Sequence, residues 1–133
     1  MRSLVPMLSL AVALSGCGVA PDSDEVQAVT VSFYDALRDD RGRDACELLG
    51  EATVQALESQ ESRPCREAIT ALGHDGGDIA NVHVFVTSAK VDLSTGESVF
   101  LNREPGGWKL SALACRVEDG KPRDRPLDCQ VEA

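Results

Sequence analysis

The chain has 133 residues, enough for one small domain, with a formal charge of −9 at pH 7 and five cysteines. A chain this acidic is not expected to bind nucleic acid, whose phosphates require a basic surface. For the same reason it is not expected to adhere to anionic lipid by electrostatics alone.

The N-terminal segment has the pattern of an export signal. Arg2 precedes an apolar run over residues 4–14, and the tetrapeptide Leu14-Ser15-Gly16-Cys17 ends it. The run is too short to span a membrane, which takes about 20 apolar residues. The pattern resembles the signal of bacterial prolipoproteins, which implies cleavage before Cys17 and diacylglycerol on its sulfur. The alternative is an ordinary signal peptide in which Cys17 is incidental.

These features predict a membrane-anchored protein. Residues 1–16 are expected to be the signal peptide, and residues 17–23 a lipidated tether. The expected location is the outer face of the cell membrane, with the lipid on Cys17 as the contact to the bilayer.

The first part of the remaining domain, residues 24–72, is predicted to be helical. One amphipathic helix is predicted over 24–39. Further helical pieces are predicted from about residue 44, over about 52–60, and from Pro64 to a stop at Gly73, with a break near Gly50. The apolar positions that recur at helical spacing in the first helix are Val26, Val29, Phe33 and Leu37.

Residues 79–116 change to a period of two, which predicts an antiparallel meander with tight turns. The charged tail 117–133 is expected to be tied back by Cys129, and residues 130–132 could add a short edge strand. We therefore predict a single α+β domain over 24–133, with short helices packed on a curved antiparallel sheet of about four strands. The positions expected to share its buried face include Val82, Val84, Val86, Trp108, Leu110, Ala112 and Ala114.

Four cysteines remain after Cys17 is assigned to lipid, and in an exported domain an even number indicates two disulfides. Three pairings are possible. Cys46–Cys65 with Cys115–Cys129 is preferred, because each bond closes a short loop across a turn or helix break. A zinc site is the alternative, but the sequence has no Cys-x-x-Cys spacing and both histidines are distant from the cysteines.

Several strings in the chain resemble a pattern found in actinobacterial lipoproteins. They are Ala45-Cys46-Glu47-Leu48-Leu49, Pro64-Cys65-Arg66-Glu67-Ala68, Gly107-Trp108-Lys109-Leu110 and Asp124-Arg125-Pro126-Leu127-Asp128-Cys129. Those proteins are similar to the nuclear-transport-factor-two-like superfamily, a cone of helices and a curved sheet. The resemblance covers nearly the whole chain after the signal and implies the same two local disulfides. It implies no particular activity, because the superfamily contains both enzymes and binding modules.

Candidate functional residues are few. Phe33, Tyr34 and Trp108 are the aromatic residues expected near the interior of the cone, where they could line a pocket. No acid–base pair converges with Tyr34 in the sequence, so we expect no catalytic residue. Residues 74–78 are interpreted as a solvated loop, and His83 as a strand residue facing away from the valines. No metal site and no cofactor are expected.

The function expected from the sequence is non-catalytic binding of an envelope protein or a small apolar ligand at the cell surface. An isomerase or hydrolase that uses the cone is one alternative. A spacer or assembly factor of the cell envelope is another.

Overall fold

The computed structural model describes residues 21–74, 76–117 and 127–133. The predicted signal peptide 1–16, the lipidation site Cys17 and the first part of the tether lie outside the described residues. Four helices precede five strands: α1 (Pro21–Arg38), α2 (Gly42–Glu47), α3 (Glu51–Glu61), α4 (Cys65–Ala71), β1 (Ile79–Val84), β2 (Ser88–Leu93), β3 (Ser98–Glu104), β4 (Gly107–Val117) and β5 (Leu127–Glu132). The strands form one antiparallel sheet in chain order, and the α+β prediction is confirmed.

Helix α1 begins earlier than the sequence suggested. The tether was predicted to extend to residue 23, whereas the helix starts at Pro21. A proline is favourable in a first turn because its φ is already helical and its missing N–H needs no partner there. Asp22 and Asp24 in the same turn complement the positive end of the helix dipole.

The chain from α2 to α4 folds back on itself, as the predicted break at Gly50 requires. Gly50 is extended and precedes α3. Its N–H donates to the Leu110 carbonyl (2.9 Å), and the Leu110 N–H donates to the Leu48 carbonyl (2.9 Å). Residues 48–50 therefore pair with β4 at Leu110. The pairing of β4 with β5 begins two residues later, at Ala112.

Helix α4 is capped by its neighbour. Pro64 precedes its first residue, Cys65, and the Cys65 N–H donates to the Glu58 carboxylate of α3 (2.8 Å). This bond satisfies one of the amides that a helix start leaves without an intrahelical partner. Cys65 is also joined to Cys46 of α2 by the first of the two disulfides.

The tail forms a fifth strand, longer than the short edge strand that the sequence suggested. Strand β5 covers Leu127–Glu132 and pairs with β4 from Ala112 to Val117. The second disulfide joins Cys115 and Cys129, which face each other across this pair. Both disulfides are those that the sequence favoured.

The core lies between the helices and one face of the sheet. It includes Val26 and Phe33 of α1, Ile69 of α4, and Val91 and Leu110 of the sheet. The predicted alternation holds through β2 and through β4 as far as Ala112.

Beyond Ala112 the predicted alternation of β4 is wrong. Register shifts interrupt the β3–β4 pairing on both sides of Phe100, and Ala114 has a left-handed φ of 51°. A bulge of this kind moves the following side chains to the other face. Consequently Leu113 and Cys115 are buried, and Ala114 is only partly buried.

The prediction for Val86 is also wrong. Strand β1 ends at Val84, and Phe85 and Val86 lie in the turn to β2, where both are exposed. The turn is closed by a hydrogen bond from the Phe85 N–H to the Ser88 carbonyl (2.8 Å).

Candidate functional site

The predicted pocket residues do not form a common pocket. Phe33 and Tyr34 are neighbours on α1, both are buried, and their rings meet edge to face with centroids 5.1 Å apart. They line a cavity of about 10 Å³, together with residues of α4, His74 and β4, and Trp108 is not among its lining residues. A cavity of this size holds one water molecule at most. This part of the described interior is filled by its own side chains, and the cavity beside Phe33 and Tyr34 has no room for an apolar ligand.

Trp108 belongs to the core at the other end of the sheet. The Arg103 guanidinium lies 5.0 Å from the centroid of its ring, and Arg103 also forms an ion pair with Asp22 in the first turn of α1. The indole N–H of Trp108 is buried and has no hydrogen-bond partner among the residues that the structure describes. The Trp108 ring therefore packs beneath the guanidinium of Arg103, whose ion pair with Asp22 links β3 to α1.

A group of polar side chains meets beside Tyr34, and we call it the Glu97 cluster: Tyr34, His74, Glu97, Arg116 and Gln130. The Glu97 side chain is only 10% exposed and accepts hydrogen bonds from Nε (3.2 Å) and Nη2 (2.8 Å) of Arg116. His74 Nδ1 lies 3.9 Å from Glu97 Oε1, and His74 Nε2 is hydrogen-bonded to the Gln130 side-chain oxygen. The buried carboxylate is thus paired, as a charge in a protein interior must be.

The electrostatics of the cluster act on Tyr34. Burial raises the pKa of the Tyr34 phenol far above its ordinary value of 10.0, and the nearby Glu97 carboxylate raises it further. The phenol therefore stays protonated throughout the neutral range. A carboxylate, an imidazole and a phenol are the groups that acid–base chemistry uses, but the adjoining cavity is too small for a substrate.

An open cleft lies on the other side of Tyr34. It has a volume of about 370 Å³ and runs between α1 and the chain segments that begin β1 and follow β2. Its lining is mixed: Val31 is an exposed apolar residue, Arg38 and Asp78 carry opposite charges, and Ser94 adds a hydroxyl. Gly76 packs against the Tyr34 ring so closely that a Cβ at this position would overlap it.

His83 has a partner that the sequence could not name. It is exposed on β1, and its Nε2 lies 3.4 Å from the Asp92 carboxylate on β2. Hydrogen bonds from Lys90 and Ser98 lower the pKa of Asp92 below its ordinary value, in that order of importance, and His83 adds a smaller effect. The arrangement is a polar network on the solvent face of the sheet.

Within residues 21–74, 76–117 and 127–133, no group of three His, Cys, Asp or Glu side chains is placed to hold a metal ion. Asp75, part of the predicted loop 74–78, lies outside the described residues. No described helix is long and apolar enough to cross a membrane. Large apolar side chains are exposed at four described positions, Val31, Phe85, Val86 and Val117.

Sequence reasoning missed the Glu97 cluster. Its members come from α1, the segment after α4, the β2–β3 turn, β4 and β5, so no spacing in the sequence brings them together. The cleft was missed for the same reason. Comparison with known proteins adds nothing to the geometry, because no protein family, curated protein or solved structure matches the chain.

Proposed function

We propose that the protein is an extracytoplasmic lipoprotein, held at the outer face of the cell membrane by lipid on Cys17, and that its domain is a non-catalytic module that binds an envelope protein. The disulfides support the first part. They use all four cysteines of the described ranges, as expected in an oxidising compartment, and leave Cys17 as the remaining thiol.

The proposed binding role is supported by the difference in volume between the open cleft and the cavity beside Tyr34. Among the described residues, the cavity beside Phe33 and Tyr34 measures about 10 Å³ and has no space for a small ligand, whereas the cleft of about 370 Å³ is open to solvent. We therefore favour a protein partner over a small apolar ligand. The order of helices and antiparallel strands supports our further proposal that the domain is a cone with a curved sheet, of the nuclear-transport-factor-two-like type.

The composition of the cleft suits an extended polypeptide segment. Val31 offers an apolar contact near the middle of α1. The cleft also presents both charges, from Asp78 and from Arg38, which is ion-paired with Asp35. The cleft reaches Ile79, the first residue of the edge strand β1, where main-chain pairing with an added strand is available.

The anchor is tested by the mass of the protein extracted from membranes of its own cells. We expect the mass of the chain from Cys17 onward plus two or three acyl chains. Replacement Cys17→Ser should release the protein from the membrane fraction. A Cys17→Ser protein that stays in the membrane fraction as fully as the wild type contradicts the proposed anchor.

The binding role is tested by a photoreactive residue placed at position 31, within the cleft, in living cells. We expect one defined protein adduct. A matched residue at position 117, which is also a valine and is more exposed (74% against 44%) but lies at the end of β4 outside the cleft, should give none. The same adducts from both positions contradict a specific site.

The Glu97 cluster favours a second candidate, a small isomerase or hydrolase. This role requires the cavity between Tyr34 and His74 to open around a substrate. Native mass spectrometry of the extracted lipoprotein tests it: a small-molecule adduct that is lost on denaturation, and lost in Glu97→Gln but kept in the exposed control His83→Gln, supports the enzyme. A bare mass, or a second polypeptide, supports the binding module.

A further inference from the structure

The turn between β1 and β2 presents two adjacent apolar side chains to solvent. Phe85 is 64% exposed and Val86 is 89% exposed. Among the described residues, this is the one place where two large exposed apolar side chains are neighbours in sequence. We call Phe85 and Val86 the hairpin tip.

The hairpin tip lies at the same end of the domain as the start of α1. Next to the tip, the Thr87 carbonyl accepts a hydrogen bond from the Arg103 N–H (2.9 Å) on β3. The Arg103 guanidinium in turn forms an ion pair with Asp22, the second residue of α1. A continuous set of contacts therefore runs from the tip to the first turn of the helix.

The start of α1 is also close in sequence to the proposed lipid. Cys17 precedes Pro21 by four residues, which span at most about 14 Å when fully extended. If Cys17 holds the protein in the bilayer, the end of the domain that carries Pro21 must stay near the membrane surface. The hairpin tip is part of that end.

We propose that Phe85 and Val86 insert into the interfacial region of the bilayer and fix the orientation of the domain, an inference that rests on the proposed lipid anchor. Apolar side chains of interfacial segments bury to about 5–10 Å in the headgroup region. The chain is acidic, so the contact is apolar rather than electrostatic and should be insensitive to salt. Such an orientation points the cleft away from the membrane, because the cleft is lined by Arg38, Ser94 and Asp78 at the other end of α1 and of β2.

The test uses the full acylated protein in vesicles that contain phospholipids brominated near the top of the acyl chains. The variant Phe85→Trp places an indole at the hairpin tip, and we expect its emission to be quenched and shifted to shorter wavelength. Trp108 contributes to the emission of every variant, so the wild-type protein, in which it is the single tryptophan, supplies the baseline.

The matched control is Val117→Trp. Val117 is 74% exposed and lies at the end of β4 that is remote from Gly107 and the hairpin tip. Its indole should keep an unquenched, solvent-exposed emission. Equal quenching of both variants, or quenching of neither, overturns the proposed insertion.

Failure of the proposed lipid anchor and failure of the proposed insertion give different results. The mass of each protein sample is measured first, and a mass without acyl chains contradicts the proposed anchor, whatever the fluorescence shows. An acylated Phe85→Trp protein without quenching contradicts only the insertion. If a photoreactive residue at position 85 then joins a polypeptide in cells, the tip contacts a protein instead, which also overturns the bilayer contact.

Discussion

Gly42 lies at a close contact between α2 and α4. A Cβ at this position, the first of α2, would overlap the carbonyl oxygen of Arg66 in α4. That oxygen is backbone and cannot move without shifting α4. We expect Gly42→Ala to lower the free energy of unfolding by about 1–3 kcal/mol, the usual effect of overpacking, in urea unfolding followed by circular dichroism.

A control for this prediction is Gly106→Ala, in the turn between β3 and β4. Its surroundings are open apart from the end of the Lys109 side chain, 3.9 Å from the position of the new Cβ. The expected change is within about 0.5 kcal/mol. Comparable losses in both variants show that the close approach at Gly42 is not the cause.

Tyr34 allows a test of the electrostatics of the Glu97 cluster, because it is the single tyrosine of the chain. Burial and the Glu97 carboxylate raise its pKa in the folded state. Above the ordinary tyrosine pKa, the unfolded chain releases the phenolic proton and the folded chain keeps it. The free energy of unfolding should therefore fall as the pH rises beyond about 10.

The measurement is an alkaline titration in which tyrosinate absorbance and circular dichroism are recorded together. We expect the two signals to change in the same step, and Tyr34→Phe to move the loss of structure to higher pH. Tyrosinate formation near the ordinary pKa in a protein that remains folded contradicts the burial of this side chain.

At the scale of elements, each disulfide joins two elements that also pack against each other: α2 with α4, and β4 with β5. Cys46–Cys65 closes a separation of 19 residues between two helices of six and seven residues, and Cys115–Cys129 closes 14 residues between β4 and the edge strand β5. Helices this short are unstable unless tertiary contacts hold them. On the chain-entropy account, each bond contributes about 3 kcal/mol.

We expect each double Cys→Ala variant to lose about 3 kcal/mol in urea unfolding, but at different places in the fold. Removal of Cys115–Cys129 should accelerate hydrogen exchange of the β5 amides and leave α2 and α4 protected. Removal of Cys46–Cys65 should have the opposite pattern. Equal acceleration throughout the chain in both variants contradicts this assignment.

Elements whose signal is local were predictable from the sequence. The start of α4 near Cys65, the break at Gly50 and the strands up to Ala112 depend on residues within one turn or one alternation. The disulfide pairing depends on that break, since a straight helix over 44–60 would be about 25 Å long and would separate Cys46 from Cys65.

The features that were not predictable depend on contacts between distant segments. The bulges beside Phe100 shift Leu113 into the core because β3 and β4 pair in a register that a single strand does not encode. In the sequence, Val86 follows the apolar–polar alternation of β1. In the structure, the strand ends at Val84, and the hydrogen bond from the Phe85 N–H to the Ser88 carbonyl closes a turn that contains Val86. The Glu97 cluster draws on five separate segments, and the filled cavity beside Tyr34 depends on side-chain volumes from several of them.

At the scale of the whole molecule, the charge decides what can hold the protein at a membrane. Removal of residues 1–16 takes away Arg2 and leaves 12 basic and 22 acidic side chains, a formal charge of −10. Full burial of the Phe85 and Val86 side chains contributes about 3–6 kcal/mol together. Even a single myristoyl chain gives only marginal, reversible binding, with an association constant of about 10⁴ M⁻¹. The hairpin tip alone is therefore too weak an anchor, and repulsion from anionic lipid weakens it further.

We expect the unacylated chain that begins at residue 18 to remain in solution when it is mixed with anionic vesicles at low ionic strength. Added salt screens the repulsion between protein and vesicle but supplies no attraction, so it should produce no strong binding. Vesicle sedimentation measures this directly, with the acylated protein as the positive control. Salt-sensitive binding of the unacylated chain contradicts the argument from charge, and tight salt-insensitive binding shows that an apolar surface other than the hairpin tip contacts the bilayer.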